Sequence, residues 1–248
     1  MASRNQLAIL KQGVEAWNMW REENPYPGIN FMHTDLRGAN LQGANLQGAY
    51  LTGVDLRKAD LSTANLRKAY MKDANLIQAN LMQADLTSVT LSGAILNQTN
   101  LINTVISYGI MQMTVITDSD LSEAVGLKHV NHLAPSSIST DTFVRSKGRI
   151  PAVFLRGCGL SDWQIEAVKL YDPDLTNETR NQILYKIYDL QSTQSIQISP
   201  LFVSYSQADS EFVGKIGDCL KRKGIRYWRD IHDMKAGRME TQIDRAIR

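Results

Sequence analysis

The sequence contains little cysteine. Its two cysteines, Cys158 and Cys219, lie far apart and outside any C-x-x-C pair. A disulfide-stapled secreted scaffold needs several closely spaced cysteines, so that class of protein is excluded. Two isolated thiols fit a reducing compartment, and we therefore expect a cytoplasmic protein.

Long apolar runs are also missing. No stretch of about 18 apolar residues occurs, so no membrane-spanning helix is expected. The apolar stretch near the N-terminus contains Lys11 and Glu15 and lacks the layout of a signal peptide. A strong charge of either sign is absent as well, because 27 Lys and Arg face 25 Asp and Glu. The sequence is therefore neither a polyanion nor a polycation.

The sequence is rich in large apolar residues that recur every five positions. Nineteen consecutive steps keep this phase: Phe31, Leu36, Leu41, Leu46, Leu51, Leu56, Leu61, Leu66, Met71, Leu76, Leu81, Leu86, Leu91, Leu96, Leu101, Ile106, Met111, Ile116 and Leu121. A small or β-branched residue, most often alanine, stands two positions before each. The residue between them is often Asn or Asp.

A period of five fits neither an α-helix nor a simple strand, and fixed self-similarity of this kind indicates a solenoid. A large and a small residue two apart share one face of a short extended segment. If both point inward, the other three positions face water. Asn and Asp tolerate tight turns and bond the local backbone, so each unit reads as one inward face followed by one corner.

These units resemble the pentapeptide-repeat family, whose pattern A-(D/N)-L-x-x is literal at residues 39–41 and 84–86. The resemblance implies a mainly β solenoid over residues 29–125, a right-handed quadrilateral β-helix of almost five coils with four units per coil. Towards its C-terminal end, more β-branched residues predict longer strands. The five-residue phase ends after Leu121.

The flanking segments read as helical. Residues 3–24 show helical spacing, with Trp17 and Trp20 among the apolar positions, so residues 1–28 are interpreted as a helix capping the first coil. Residues 126–198 are interpreted as a helical connector. Within it, Ser161 and Gln164 form a capping-box pattern that opens a helix to about Tyr171.

The last fifty residues predict a strand at 201–205, a helix burying Phe212 and Val213, a second strand at 225–228, a polar loop and a final helix. LFVSYSQAD (201–209) and GIRYWRD (224–230) resemble the start of a TIR (Toll/interleukin-1 receptor) domain of bacterial type. Residues 231–238 correspond to its BB loop, where Ala236 replaces the usual proline. The resemblance implies that residues 199–248 are a partial α/β, flavodoxin-like segment with the first two strands and helices.

The TIR resemblance implies two activities, which are homotypic assembly and cleavage of NAD at the nicotinamide glycosidic bond. The cleavage needs a carboxylate beside an oxocarbenium-like centre, which the family carries on a helix after its third strand. The sequence ends at Arg248, and Glu211 and Glu240 match no catalytic position. We therefore expect no catalytic residue and no required cofactor in this chain.

By analogy with the family alone, a nucleotide pocket would involve four residues: Tyr205, Ser206, Trp228 and Arg238. NAD would be a ligand or substrate of a complete TIR domain, and an NAD-cleaving enzyme is the alternative if the chain continues past residue 248. His129 and His132 have metal-like spacing, but no Cys, Asp or Glu cluster accompanies them. No metal site is expected.

A second alternative is a gyrase-type DNA mimic, as some pentapeptide-repeat proteins are. Residues 29–125 contain eight acids and six bases, a net charge of −2. This is a poor imitation of DNA phosphates, and the basic pairs at 57–58 and 67–68 lie half a coil apart on opposite faces. Nucleic-acid binding is not favoured. A third reading, a structural rod without output, conflicts with the TIR resemblance.

The expected function is therefore a signalling or defence-type interaction protein. Its solenoid would be a binding or sensing platform for a TIR output domain. Protein partners would bind the solenoid faces and the loop at 231–238, and TIR regions would associate with one another.

Overall fold

The chain divides into two compact units, residues 1–183 and 184–248. The computed structural model describes residues 3–24, 28–198, 201–203, 210–222 and 227–229. The final predicted helix, the loop at 231–238 and most of the predicted nucleotide pocket lie outside these residues. Among the described residues, no helix is both long and apolar enough to cross a membrane.

The solenoid predicted from the five-residue period is confirmed in the first unit. Parallel bridges join residues 20 positions apart, so four five-residue units separate each residue from its paired neighbour. The bridged residues form four outward columns. Three are named here after side chains that they contain, and the arginine face is named after Arg37 and Arg57, which stand two positions after Asp35 and Asp55. The four columns are the tyrosine face (Asn30, Tyr50, Tyr70, Thr90, Ile110, Asn131), the arginine face (Asp35, Asp55, Asn75, Ile95, Val115, Ser137), the asparagine face (Asn40, Asp60, Asn80, Asn100) and the valine face (Asn45, Asn65, Asp85, Val105, Val125).

The interior of the solenoid consists of the two inward columns that the sequence predicts. The large residues from Phe31 to Leu121 are all buried, and so are nearly all of the small residues two positions before them. Removing this apolar surface from water is the main stabilisation of the wall, at about 25 cal/mol per Å².

Three strands longer than a single bridge lie in the part of the wall that keeps the five-residue period. They are β1 (Ile95–Asn97), β2 (Ile110–Met111) and β3 (Val115–Thr117). Each begins where a β-branched residue replaces the usual Asn or Asp. The expectation that β-branched residues lengthen the strands is therefore met at these three positions.

The wall continues past the predicted limit at residue 125, although the five-residue phase does not. A 3₁₀ turn at Leu127–His129 precedes β4 (Asn131–His132), which pairs with β2 in a register 21 residues apart. β5 (Ser137–Ile138) pairs with β3 in a register 22 residues apart. The coil therefore contains one extra residue before β4 and another before β5. Because these insertions break the period of five, that period does not reveal that the wall continues.

The N-terminal segment contains two helices, α1 (Arg4–Leu10) and α2 (Val14–Glu23), so the prediction of one helix over 3–24 was wrong. Gly13 separates them with φ of +121°, a conformation that L side chains rarely adopt.

Both helices bond the backbone of the first coil. The Trp17 indole donates to the Asn45 carbonyl at 3.0 Å, while the Asn45 amide donates to the Asn18 side chain at 2.9 Å. The Asn30 amide donates to the Gln6 side chain at 3.0 Å. No preceding coil exists to bond these groups, so the helices supply the missing partners.

Five further helical segments follow the solenoid wall. They are α3 (Thr140–Arg145), α4 (Ala152–Gly157), α5 (Asp162–Val168), a 3₁₀ turn (Lys169–Tyr171) and α6 (Asn177–Ile198). The predicted capping box is present, because the Ser161 amide donates to the Gln164 side chain at 2.8 Å. The helix from Ser161 was predicted to reach Tyr171, and its last turn is the 3₁₀ turn.

Hydroxyl groups on and beside α3 bond the backbone amides of the last coil. The Leu121 amide donates to Ser146 Oγ at 3.0 Å, the Ser119 amide to Thr142 Oγ1 at 3.5 Å, and the Asp118 amide to Ser139 Oγ at 3.3 Å. Without these hydroxyls, the amides would have no partner from a following coil.

The second unit contains β6 (Leu201–Val203), α7 (Ser210–Arg222) and β7 (Tyr227–Arg229). β6 and β7 pair in parallel, as the βαβ reading requires. The second strand was predicted at 225–228, and its described part is Tyr227–Arg229. On α7, Val213 is buried, but Phe212 is 67% exposed, so its predicted burial was wrong.

Candidate protein-interaction surface

The interior of the solenoid is filled by its two buried columns. An enclosed space of about 10 Å³ lies near its C-terminal end, between apolar residues that include Leu127 and Phe154. This is about the space of a single water molecule, and its lining offers almost no polar partner. Among the described residues, no group of three or more His, Cys, Asp or Glu could hold a metal ion.

The two histidines with metal-like spacing have separate surroundings. His129 is exposed and stacks on Tyr108 with ring centroids 5.7 Å apart. His132 meets Phe154 edge-on at 5.0 Å, and both of its ring nitrogens are buried without a hydrogen-bond partner. Burial lowers the pKa of His132 below its ordinary value, because the charged form is poorly solvated there.

The corners of the solenoid fix which side chains reach the surface. At most units, the Asn or Asp side chain accepts a hydrogen bond from the amide two residues later, as the Asp60 side chain does from Ser62 at 3.0 Å. This is the local bonding that the sequence predicts for these residues. The residues one and two positions after each large residue then project from the rod, and they define its chemistry.

The arginine face carries charges that neutralise one another. Arg37 bonds Asp35 at 2.6 Å, and Arg57 bonds Asp55 at 2.6 Å. The Arg37 guanidinium lowers the pKa of Asp35 to about 2, and hydrogen bonding to Arg57 lowers the pKa of Asp55. An open groove beside these arginines also contacts Lys58, which is the one cation of the group without a carboxylate partner among the described residues.

The asparagine face is a ladder of side-chain hydrogen bonds. Asn100 donates to Asn80 at 2.9 Å, and Asn80 donates to Asp60 at 3.0 Å. Beside this ladder, Met82 and Ile102 are 36% and 40% exposed. The amide and carboxylate groups are largely occupied with each other, so this face offers mainly two apolar side chains.

The tyrosine face exposes more large apolar and aromatic surface than the others. Five of the eight exposed large hydrophobic residues between 29 and 138 lie on it or at its corners: Tyr50, Tyr70, Tyr108, Met113 and Leu133. Tyr50 and Tyr70 stack with ring centroids 5.1 Å apart and an interplanar angle of 10°. Tyrosine and methionine are enriched in protein interfaces, so this face has the composition of a binding surface.

Only one of the four predicted nucleotide-pocket residues lies in the described part of the chain. Trp228 lies in β7, opposite Phe202 of β6. Tyr205, Ser206 and Arg238 fall outside the described residues, so the pocket stays a prediction.

Sequence reasoning missed the tyrosine face because it followed the period of five. The signal was present at the longer period: taking every twentieth residue from Asn30 gives Tyr50, Tyr70, Thr90 and Ile110. It also missed the hydroxyls of α3, which have no repeat pattern. Only the fold brings them to the end of the wall.

The wall of parallel bridges, its two buried columns and its regular corners define a β-solenoid repeat protein. The pentapeptide-repeat family matches residues 29–67, 64–101 and 84–122 in eight copies, and the TIR domain family matches residues 201–248. The chain is a pentapeptide-repeat protein that also carries TIR-domain sequence.

Several solved pentapeptide-repeat structures are similar to this chain. One from the cyanobacterium Cyanothece 51142 is 21% identical, covers 50% of this chain and 95% of its own, and has a TM-score of 0.33. One from Nostoc PCC 7120 is 32% identical over 38% of this chain and 78% of its own, with a TM-score of 0.25.

HetL of Nostoc sp. strain PCC 7120, a protein involved in the regulation of heterocyst differentiation, is 34% identical to this chain. The match covers 39% of this chain and 49% of HetL, with a TM-score of 0.16. A comparison with curated proteins found no match.

Proposed function

We propose that this chain is a signalling or defence-type interaction protein whose solenoid is the platform that partner proteins bind, with the TIR region as its output. Pentapeptide repeats and TIR sequence in one chain support this reading. The proposal includes the finer architecture expected from the sequence, a right-handed quadrilateral β-helix capped by α1 and α2 and followed by a partial flavodoxin-like segment. It also includes a cytoplasmic location, which rests on the two separated cysteines.

The observation that carries the proposal is the contrast between the inside and the outside of the solenoid. Its interior is filled by the large and small columns, whereas its outside presents exposed aromatic and apolar side chains on a regular wall. A rigid wall loses little conformational entropy when a partner binds, which favours recognition by its surface.

Lysine-directed cross-linking of the full chain to proteins of its host tests the platform. The solenoid offers Lys58, Lys68 and Lys72 and, in its continuation, Lys128, all exposed, whereas Lys186 and Lys215 lie beyond it. We expect links to partner proteins to concentrate on the solenoid lysines. Links confined to Lys186 and Lys215 would contradict the platform.

Release of nicotinamide from NAD by the same preparation checks the enzyme alternative. We expect no release above the buffer blank, because Glu211 and Glu240 match no catalytic position of the TIR family. Turnover by the purified chain would overturn the non-catalytic part of the proposal and would leave the cross-linking result to be judged separately.

A further inference from the structure

On the tyrosine face, a row of small residues lies between two rows of large residues, and this alternation outlines a groove. Tyr70, Thr90 and Ile110 follow one another in successive coils, joined by parallel bridges. The row of Thr90 consists of small residues, and Ser88, Thr90 and Ser92 form the floor of the groove. At the edge of this floor, the Asp73 carboxylate lies over Gly93. Tyr70 rises on one side, and Tyr108 with Met113 rises on the other.

The dimensions of the groove suit an extended chain better than a helix. Its two walls are two strand spacings apart, or about 10 Å between backbones. An α-helix with side chains is about 10–12 Å across and would rest on the walls without reaching the floor. A single extended segment fits between them.

The two walls differ in charge. Lys68 and Lys72 flank Tyr70 on the first wall, and neither has an ion-pair partner among the described residues. Asp73 follows at the corner with its carboxylate over Gly93, so these three residues leave the first wall with a net charge of +1. The second wall, formed by Tyr108 and Met113, and the floor both lie in residues 86–117, a stretch of the sequence without a charged residue. On the far side of this wall, His129 stacks on Tyr108 and is preceded by the exposed Lys128. Tyr108 and Met113 are 63% and 69% exposed on the second wall.

The floor offers hydroxyl groups and little free backbone. The Thr90 amide donates to the Ala69 carbonyl at 3.0 Å, and the Thr90 carbonyl accepts from Met71 at 2.8 Å. The side-chain hydroxyls of Ser88, Thr90 and Ser92 have no hydrogen-bond partner within the part of the chain that the structure describes. A bound segment would therefore use side-chain contacts and these hydroxyls, and would not pair as an added strand.

We propose that this groove binds an extended segment of a partner protein that has acidic side chains towards Lys68 and Lys72 and apolar side chains towards Tyr108 and Met113. This inference rests on the proposed platform function and names the face and the class of its partner. Charge complementarity selects the acidic side of the segment, and burial of Tyr108 and Met113 selects the apolar side. Single-stranded nucleic acid fits less well, because the second wall offers no cation for its phosphates.

Selection of random 12-residue peptides displayed on phage, with the full chain as bait, tests this proposal. We expect enriched peptides that combine an acidic part with an apolar part. A synthetic copy of the leading peptide should bind about tenfold or more weakly to the Lys72→Glu variant and to the Met113→Lys variant. Met82→Lys on the asparagine face is the matched control, and it should leave the affinity unchanged.

Selection repeated on the Lys68→Glu/Lys72→Glu variant sharpens the test, since it should enrich basic peptides instead. Two results would contradict the proposed binding site. One is a peptide that binds both groove variants as tightly as the parent chain, and the other is a peptide that loses affinity for the Met82→Lys control. Tighter binding of a 12-nucleotide oligothymidine than of the peptide would also contradict the proposed site. In each case, cross-links on other solenoid faces would still support the platform, so the two failures are distinguishable.

Discussion

The corner residue two positions after a large residue takes a left-handed conformation at every unit except the last. Eighteen such positions, every fifth residue from His33 to Asp118, have positive φ, and only five of them are glycine. Steric clash destabilises this conformation by about 1 kcal/mol for a non-glycine residue, and by more for a β-branched residue. Thr63, at φ of +56°, is such a β-branched corner.

Replacing Thr63 by glycine should therefore stabilise the solenoid. The Thr63 side chain is exposed, so the substitution removes backbone strain while burying and exposing little. We expect the free energy of unfolding in urea to rise by about 0.5–1 kcal/mol, after the entropic cost of glycine is subtracted.

Gly48→Ala is the matched control for this prediction. Gly48 has φ of +68° and no atom within 4 Å of an added Cβ, so the alanine tests strain alone. We expect it to lower the free energy of unfolding. A Thr63→Gly variant that is less stable than the parent would show that these corners are not strained.

Some residues that depart from the repeat pattern have a structural role that the pattern does not predict. Thr99, Thr104 and Thr114 stand where alanine is usual, and each buried hydroxyl donates to a carbonyl of the preceding coil, at 2.9, 2.7 and 2.9 Å. The sequence predicts that these side chains point inward. It cannot predict their acceptors, which lie 23 residues earlier in the chain.

At the scale of elements, α3 closes the end of the wall through hydroxyl groups. Thr142 is fully buried, accepts from the Ser119 amide and lies 3.4 Å from the Ile116 carbonyl. Apolar burial alone would leave the amides of the last coil without acceptors, and a buried amide without a partner costs about 1–3 kcal/mol.

Thr142→Val should therefore destabilise the end of the solenoid by about 1–2 kcal/mol, because valine keeps the shape and removes the acceptor. Hydrogen–deuterium exchange of the amides from Asp118 to Leu121 should become faster. Thr140→Val is the control: Thr140 opens the same helix with an exposed side chain, and exchange should stay as in the parent. Equal exchange in the two variants would rule out the hydroxyl closure.

The contact between β4 and α4 should weaken in acid. Both ring nitrogens of His132 are buried without a hydrogen-bond partner, and burial lowers its pKa from the ordinary 6.5. The nearest charged residue on α4, Arg156, is paired with Asp162 at 2.7 Å and offers His132 no carboxylate.

The unfolded chain binds a proton on His132 more readily than the folded chain does. The contribution of neutral His132 to the free energy of unfolding is therefore fully present above about pH 6.5. It should fall as the pH drops from there towards the lowered pKa, and it should level off below that value. Melting temperatures measured across this range should show the decline. The His132→Phe variant, which keeps the ring contact with Phe154, should lose this part of the decline, and an unchanged pH profile in that variant would refute the role of His132.

At the scale of the whole molecule, the sequence predicts the regular part of the fold and misses its irregularities. The inward columns and the Asn and Asp corners follow from the period of five, because each unit has to bury its large and small residues and then turn a corner. The continuation of the wall to Ile138 does not, since single-residue insertions near Leu127 and before Ser137 break the phase without breaking the pairing.

The candidate interaction surface is likewise predicted only in part by the sequence. The sequence indicates that the solenoid surface would bind a partner, but which face does so depends on residues 20 apart that only the coil brings together. The two stacked tyrosines are distant in the sequence and 5.1 Å apart in the fold.

Hydroxyl-radical footprinting of the full chain, alone and in complex with a partner protein identified by cross-linking, tests the platform most directly. Tyrosine and methionine side chains react readily with the radical, so the extent of their labelling measures directly whether the tyrosine face is covered. We expect Tyr70, Tyr108 and Met113 to be protected in the complex, while Met82 on the asparagine face stays labelled. Unchanged labelling of the tyrosine face, with protection only at Tyr185 and Tyr188 of α6, would contradict the account.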